Sequence, residues 1–429
     1  MNKFRISIIV LLFLCLCLPK ALTEEVLTWD DCLAEAKKNH PDLISAQENV
    51  NQQKAAKTIA ASGLYPQIST NLDASTAKTS TTSSAGVTTK STKDSYSYGV
   101  SANQLVFDGL KTLNEVNSAS ENIKAAKENY RFTSSEVRLN LRTAFINLLK
   151  AQELISVAEE ISKIRRNSLI LITLRYQSGL EHKGALLTAD ANLSQANFEL
   201  AQAKRDVELY QRQLTKEMGR REFKPMSVKE DFTVRDGAKE KPDFESLAKN
   251  NPSLLQAIAK KNAASFSIKA AYAEFFPQLS GNAGADRTSS HWPPRNKQWN
   301  TGLSLTMPIF EGGKRLAQVS QAQAAYKQAE ADERSTRDGI VVTLEQEWVA
   351  LQDAIETVEV QRKSLEASTE RSRIAEAQYS TGFIAFDNWI IIENDLVSAK
   401  KAFLNAQVNS LLTEAKWIQA KGETLEYAQ

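Results

Sequence analysis

The sequence predicts a mainly α fold with a small membrane β part. Long antiparallel coiled-coil helices form an α-barrel, and four β-strands per chain contribute to a shared twelve-stranded transmembrane β-barrel. Three observations carry that expectation. Two proline-free stretches of about seventy residues, Gly109 to Ser178 and Gly312 to Thr381, each read as one uninterrupted helix. Four segments alternate apolar and polar residues with period two. The whole pattern then occurs twice along the chain, as two structural repeats.

The chain opens on a stretch with the anatomy of a secretory signal, expected over residues 1–23. Lys3 and Arg5 form its charged end, Ile6 to Leu18 is apolar apart from Ser7, and Pro19-Lys20-Ala21 and Ala21-Leu22-Thr23 are both candidate cleavage sites. The apolar run falls short of the ~20 residues a spanning helix needs. Cys15 or Cys17 would be the lipidated residue of an anchored form, but leucine precedes each where a small residue is expected, so simple cleavage is the reading adopted. Beyond this segment only Cys32 is left, and no intramolecular disulfide is open to the mature chain. Losing Lys3, Arg5 and Lys20 takes the net charge from +2 to −1, which gives no electrostatic case for nucleic acid. Sparse glycine and proline among long Ala/Gln/Glu/Lys/Leu stretches point to helices packed side by side.

The duplication is legible in four landmarks. Asn39-His40-Pro41 recurs as Asn250-Asn251-Pro252 and Tyr65-Pro66-Gln67 as Phe276-Pro277-Gln278, both displaced by 211 positions. Val106-Phe107-Asp108-Gly109 recurs as Ile309-Phe310-Glu311-Gly312 and Tyr176-Gln177-Ser178-Gly179 as Tyr379-Ser380-Thr381-Gly382, displaced by 203. The first half therefore holds eight extra residues between Gln67 and Val106. The expected organisation is a first repeat over 24–219 with a hairpin at 67–106, a charged linker over 220–241, a second repeat over 242–422 with a hairpin at 278–309, and a tail over 423–429.

Each repeat follows one grammar. A short helix opens it, with Thr28-x-x-Asp31 as a capping box in the first half and Asp243 as the cap in the second. A helix of about 25 residues follows and is stopped by Pro66 or Pro277. Then come strands, the seventy-residue helix, a glycine turn and a helix of about 35 residues.

The strand segments run through Ile68, Thr70, Leu72 and Ala74, then Tyr96, Tyr98, Val100 and Ala102. In the second half they run through Leu279, Gly281, Ala283 and Ala285, then Trp299, Thr301, Leu303, Leu305 and Met307. Each is about ten residues, the length a tilted strand needs to cross a bilayer. The stretches Thr76 to Ser95 and Thr288 to Lys297 read as exposed loops. Tyr96, Tyr98, Trp292 and Trp299 would form the membrane-interface aromatics on the loop side, with Tyr65, Phe107, Phe275, Phe276 and Phe310 on the helix side. Four strands cannot close a barrel, and an open edge in lipid leaves backbone groups unpaired at several kcal/mol each. The barrel must then be shared. Two chains give eight strands, whose interior side chains fill, so three chains are the smallest number that leaves a passage.

The long helices stay out of lipid because charge runs through them, as at Glu121, Lys124, Lys127, Glu128 and Arg131. Their seams, Val137-Leu141-Ala144-Leu148-Ala151-Ile155-Ala158 and Val341-Leu344-Trp348-Leu351-Ile355-Val358, alternate spacings of four and three. A sustained seven-residue repeat implies left-handed coiled packing, with the polar flanks left for water.

These residues resemble the outer membrane efflux protein family, the TolC-like channel-tunnels, over essentially the whole mature chain. The match rests on Leu27-Thr28-Trp29-Asp30-Asp31 with Asn39-His40-Pro41, and on the paired Tyr65-Pro66-Gln67 and Phe276-Pro277-Gln278. It also rests on Leu105 to Gly109 with Pro308 to Gly313, and on the two Tyr-x-x-Gly turns. The resemblance implies a homotrimer in the outer membrane with its helical barrel in the periplasm. Such a trimer is the exit duct of a tripartite efflux pump or type I secretion system, partnered by a periplasmic adaptor, an inner-membrane efflux or ABC transporter and outer membrane lipid. It implies that Tyr176, Gly179, Leu180, Tyr379, Gly382 and Phe383 belong to the periplasmic tips where an adaptor docks. The family's acidic constriction falls here on Asn388 and Ile391, so the candidate constriction residues are the neighbouring Asp387 and Glu393, with Asp190 as the counterpart of Glu393 in the first half.

An enzyme is not expected. His40, His182 and His291 are isolated, and there is no phosphate loop, Cys/His metal spacing or nucleophile motif, so no cofactor or metal is called for. Met218, Met226 and Met307 are too few for a copper relay. The alternative reading is a soluble periplasmic coiled-coil adaptor or scaffold, in which the strands are soluble hairpins.

Overall fold

The computed structural model describes residues 25–234 and 240–426. The signal-segment reading of 1–23, including Cys15 and Cys17, lies outside the described residues. In chain order the elements are β1 (Glu25–Leu27), α1 (Trp29–Asn39), α2 (Pro41–Ser62), β2 (Gln67–Thr82), β3 (Thr88–Phe107), α3 (Lys111–Gln177) and α4 (Lys183–Glu217). The second half adds β4 (Met226–Val228), α5 (Phe244–Lys249), α6 (Pro252–Ala273), β5 (Gln278–Ser289), β6 (Asn296–Thr306), α7 (Lys314–Ser380) and α8 (Phe386–Ala420). The long helices α3 and α7 are 67 residues each, and α4 and α8 are 35 each. Equal lengths in the two halves are what a duplicated sequence dictates. No described helix is long and apolar enough to cross a membrane.

Local chemistry sets the starts. The Asp31 amide donates to Thr28 Oγ1 at 3.3 Å and the Thr28 amide to Asp31 Oδ2 at 3.0 Å, the reciprocal box that satisfies two otherwise orphaned donors. Asn251 caps α6 through the Ser253 amide, with Pro252 in the first turn, where its missing N–H costs nothing. Asp243 stands immediately before α5.

The chain packs as two compact units, and these cut across the sequence repeats, since each unit draws on both halves. The first comprises the segment ending at Ile44, Thr133–Phe244 and the chain from Thr343 on; the second comprises Ser45–Phe132 and Glu245–Val342.

In the first unit the α3 seam is the core. Val137, Leu141, Ala144, Leu148, Ala151 and Ala158 are buried, with Ile155 half-buried. The α7 seam is covered less well: Leu344 and Leu351 are buried, Trp348, Ile355 and Val358 are half-buried, and Val349 and Val360 are exposed. The expected linker is anchored. Its strand β4 pairs in parallel with β1, from Glu25 opposite Met226 to Leu27 opposite Val228. Gln152 exchanges hydrogen bonds with both backbone groups of Val228, and Gln211 donates to the Met226 carbonyl at 2.6 Å. Arg142 binds both oxygens of Glu230 and lies 5.0 Å over the Trp29 ring, which meets Phe145 edge-on. Cys32 is fully buried, and burial pushes its thiol up to about 12, leaving it an inert core group.

The second unit contains the four-stranded antiparallel sheet in the order β2-β3-β5-β6, so β2 and β6 are its edges. The strands run longer in the first half than the ten residues expected: β2 has 16 and β3 has 20, against 12 and 11 for β5 and β6. The Ser/Thr stretch expected as a loop instead continues the ladder from Thr76 opposite Asp94 to Thr82 opposite Thr88. Threonine suits a pleated strand, so a polar Ser/Thr composition does not by itself mark a loop. The turn shrinks to residues 83–87. The second hairpin ends at Thr306 rather than near residue 309.

Candidate functional site

Two sites follow from these elements: a pair of helix turns in the first unit and a two-faced sheet in the second.

The two turns close identically. Gly179 and Gly382 have φ of +72° and +81°, the left-handed conformation in which glycine carries no Cβ penalty. The Leu180 amide donates to the Arg175 carbonyl at 2.8 Å and the Phe383 amide to the Gln378 carbonyl at 2.8 Å, each capping orphaned carbonyls at a helix end. Leu180 and Phe383 project at 66% and 85% exposure. His182 caps α4, its Nδ1 accepting from the Ala185 amide, while Ala385 offers α8 no side-chain cap.

The repeated tyrosines then diverge. Tyr176 is exposed, whereas Tyr379 is buried and stacked on Trp389 at 4.4 Å and 9°. The Tyr379 hydroxyl donates to Glu181 Oε2 at 2.7 Å, and the Arg175 guanidinium sits 4.7 Å over its ring while donating to its backbone carbonyl. Burial, then the Glu181 carboxylate, pushes the phenol above its ordinary value, so the hydroxyl stays a donor. Around it Ile172, Ala185, Ala189, Ala375, Phe386 and Trp389 form a closed cluster.

Of the candidate constriction residues, Asp387 lies exposed in the first turn of α8 and Asp190 is exposed on α4. Glu393 is placed differently from a free pore charge. It is buried, accepting from Arg165 at 2.8 Å and from Ser168 at 2.6 Å. Burial raises its carboxyl above the ordinary value, and Ser168 and Arg165 hold it back. Helical spacing turns residue 393 toward α3 with Trp389 and Leu396, away from the exposed Asp387, Asn388 and Ile391. Sequence reasoning missed Arg165, Ser168, Arg175, Glu181 and Trp389. The one available signal was the 203 offset, at which Glu181 and Arg175 meet Ile384 and Gln378, departures from the repeat beside a repeated tyrosine.

In the sheet, register carries one apolar face across all four strands. Ile68, Thr70, Leu72 and Ala74 stand opposite Ala102, Val100, Tyr98 and Tyr96; Ala102 and Val100 stand opposite Ala283 and Ala285; and these meet Thr301 and Trp299. The other face is polar, with Ser69 bonded to Ser101 at 2.8 Å and Asn71 to Asp73 at 2.8 Å. Ile68, Leu72, Trp299, Leu303 and Leu305 are all at least 66% exposed. Of the aromatics expected at the membrane interface, Tyr96 and Tyr98 both meet Trp292 edge-on at 6.4 Å, and Trp299 is 79% exposed. Apolar-out, polar-in alternation beneath aromatics is the surface of a membrane β-barrel. Among the described residues no cluster of three His, Cys, Asp or Glu could hold a metal ion.

Fold and site define a membrane protein class that joins an exposed, two-faced antiparallel sheet to long coiled helices. A model of the family described as outer membrane efflux protein matches residues 32–220 and 244–423, and the chain belongs to that family. It is 23% identical to the outer membrane efflux protein BepC of Brucella suis over 411 residues, covering 94% of this chain and 86% of the relative. It is 23% identical to the outer membrane protein TolC of Escherichia coli over 408 residues, 90% and 79% of the two chains. Among solved structures, CusC superposes with a TM-score of 0.83 at 19% identity, covering 91% of each chain. The Campylobacter jejuni CmeC outer membrane channel superposes at 0.77 and 19% identity, covering 92% and 86%. The protein is thus an outer membrane efflux channel with its helical barrel in the periplasm, and not an enzyme.

Proposed function

We propose that three copies of this chain assemble into the passive exit duct of a tripartite efflux pump, receiving cargo from an inner-membrane transporter through a periplasmic adaptor. The observation that carries the trimer is the sheet. Its apolar face is exposed and both edge strands lack a further partner among the described residues, a state lipid does not tolerate. Four strands from each of three chains close a twelve-stranded barrel with a water-filled interior. The half-covered α7 seam fits the same assembly, as the surface a neighbouring chain would cover.

In this reading the repeats 24–219 and 242–422, joined by 220–241, each supply one helix-turn-helix tip. Leu180 and Phe383, held out by Gly179 and Gly382, are the adaptor contacts, with Tyr176 beside them. Asp387 and Asp190 are the exposed acids left for a constriction, and Glu393 positions α8 against α3 rather than facing the passage. Efflux is favoured over type I secretion because BepC, one of the relatives, is described as an efflux protein.

The test is fractionation followed by bilayer recording. A heat-modifiable, detergent-stable oligomer in the outer membrane fraction, with conductance that rises in Asp387→Ala, supports the duct and its constriction. A monomer in the soluble periplasmic fraction would overturn the duct in favour of a soluble scaffold.

A further inference from the structure

The apolar face of the sheet changes character toward the hairpin turns. Cross-strand partners share a face. At the level of Leu72 and Tyr98 that face receives Arg287, and the partner of Arg287 on β6 is Lys297. Six residues beyond Leu72, about 20 Å along the strand at ~3.4 Å per residue, the same face carries Lys78 opposite Thr92. The next pair on it is Ser80 opposite Lys90. All four cations are exposed, and none forms an ion pair among the described residues. The one acid on this face of the strands is Asp94, which accepts from Thr76 at 2.8 Å. The opposite face has the reverse balance, with Asp73 and Asp286 against Lys93.

The placement follows the energetics of a lipid-facing surface. A cation is costly at the middle of the apolar band and nearly free at its edge. None occurs between Leu279 and Ala285 or between Trp299 and Leu305 on this face, and the first pair appears where the Tyr98 and Trp292 aromatics mark the edge. Two cations side by side repel unless an anion lies between them. Arg287 and Lys297 have no carboxylate beside them on this face, and the one neighbour of that kind near Lys78 and Lys90 is Asp94, which accepts from Thr76 and forms no ion pair with either lysine. Phosphate is the anion an arginine fork and a lysine both take, and in a membrane it is supplied by lipid headgroups.

We propose that Arg287, Lys297, Lys78 and Lys90 form a basic stripe that binds the phosphate groups of outer-leaflet lipid headgroups. The proposal rests on the reading of the apolar face as lipid-facing. It assigns the first-half hairpin extension a function: β2 and β3 rise beyond the four-stranded part and hold the second lysine pair above the first.

Full-length channel in detergent is incubated with bisphosphorylated lipid A or its dephosphorylated form, and bound lipid is counted by native mass spectrometry. The wild type is expected to retain the phosphorylated form roughly tenfold better at low salt. The variant combining K78Q, K90Q, R287Q and K297Q is expected to lose that preference, and K93Q on the opposite face to keep it. Equal retention of both lipids by the wild type, or an unchanged preference in the quadruple variant, would overturn the stripe. Both variants are first checked for the heat-modifiable oligomer in the membrane fraction. A wild type missing from that fraction would overturn the lipid-facing reading itself, a result distinguishable from failure of the stripe alone.

Discussion

The Arg165 guanidinium and the Glu393 carboxylate meet at 2.8 Å between α3 and α8, both side chains buried, with Ser168 on the second carboxylate oxygen. Removing one partner of a buried pair strands the other charge. Arg165→Leu is therefore expected to destabilise the channel by about 3–5 kcal/mol, and the double change with Glu393→Leu to recover most of that loss. Thermal denaturation in detergent measures both. A double variant no better than the single would show that the pair's hydrogen bonds, not the stranded charge, set the cost. The pH dependence has a definite sign. Burial raises the Glu393 carboxyl above its unfolded value, so the folded chain holds this proton more tightly. Its contribution to stability grows as pH falls from neutrality through the raised value and levels off below the ordinary one. Glu393→Gln should remove that slope.

That pair also shows what the sequence made legible and what it did not. The long helices, the hairpins and their duplication are one-dimensional signals: absence of proline, alternation, and landmarks at fixed offsets. They are legible because each is a pattern written along the chain itself and needs no knowledge of which side chains meet in space. Which face of α8 carries Glu393 depends on Arg165, 228 positions away, a contact that the family resemblance making Glu393 a constriction candidate does not reach. The same holds for the two tyrosines. Tyr176 and Tyr379 are equivalent by repeat, and only Arg175, Glu181 and Trp389 together explain why one is exposed and the other buried. The strand extension past Thr76 was hidden because serine and threonine fit a loop and a water-exposed ladder equally well.

The hydrogen bond from Tyr379 to Glu181 ties the end of α7 to the turn that follows α3. A bond to a carboxylate contributes about 1.5–3 kcal/mol. Tyr379→Phe keeps the stack on Trp389 and removes only this tie, so it should loosen the turns without unfolding the helices. The expected outcome is higher single-channel conductance at an unchanged melting profile to within a few degrees. A conductance equal to wild type would show that this bond does not restrain the passage.

Where strands give way to the long helices, the repeat is imperfect in a measurable way. Gly109 and Gly312 both have positive φ, as do the residues after them, Leu110 at +69° and Gly313 at +85°. A Cβ on Gly109 would lie 2.7 Å from the Ala273 carbonyl oxygen and from Phe276 Cβ, whereas Gly312 faces open space. Gly109→Ala should therefore cost distinctly more than the ~1–2 kcal/mol of backbone strain expected for Gly312→Ala. Leucine at 110 already bears such strain, so Leu110→Gly should be neutral to stabilising by up to about 1 kcal/mol. Melting temperatures of the three variants, compared within one detergent, rank them; equal costs at 109 and 312 would contradict the close approach at Gly109.

Adjacent residues on β6 test the two faces of the sheet most directly. Leu303 belongs to the apolar face, opposite Gly281, and Ser304 to the polar face, opposite Ser280. If lipid covers the first and water the second, an arginine should be tolerated very differently one position apart. Near the middle of the apolar band Leu303→Arg is expected to cost about 2–4 kcal/mol, enough to reduce the yield of heat-modifiable oligomer sharply. Ser304→Arg keeps its charge in the aqueous interior and should assemble near wild-type level, altering conductance instead. The measurement is the fraction of chain in the detergent-stable oligomer, followed by bilayer recording of whatever assembles. Equal loss from both variants would mean that the two faces do not meet different solvents, and the alternation along β6 would then need another cause.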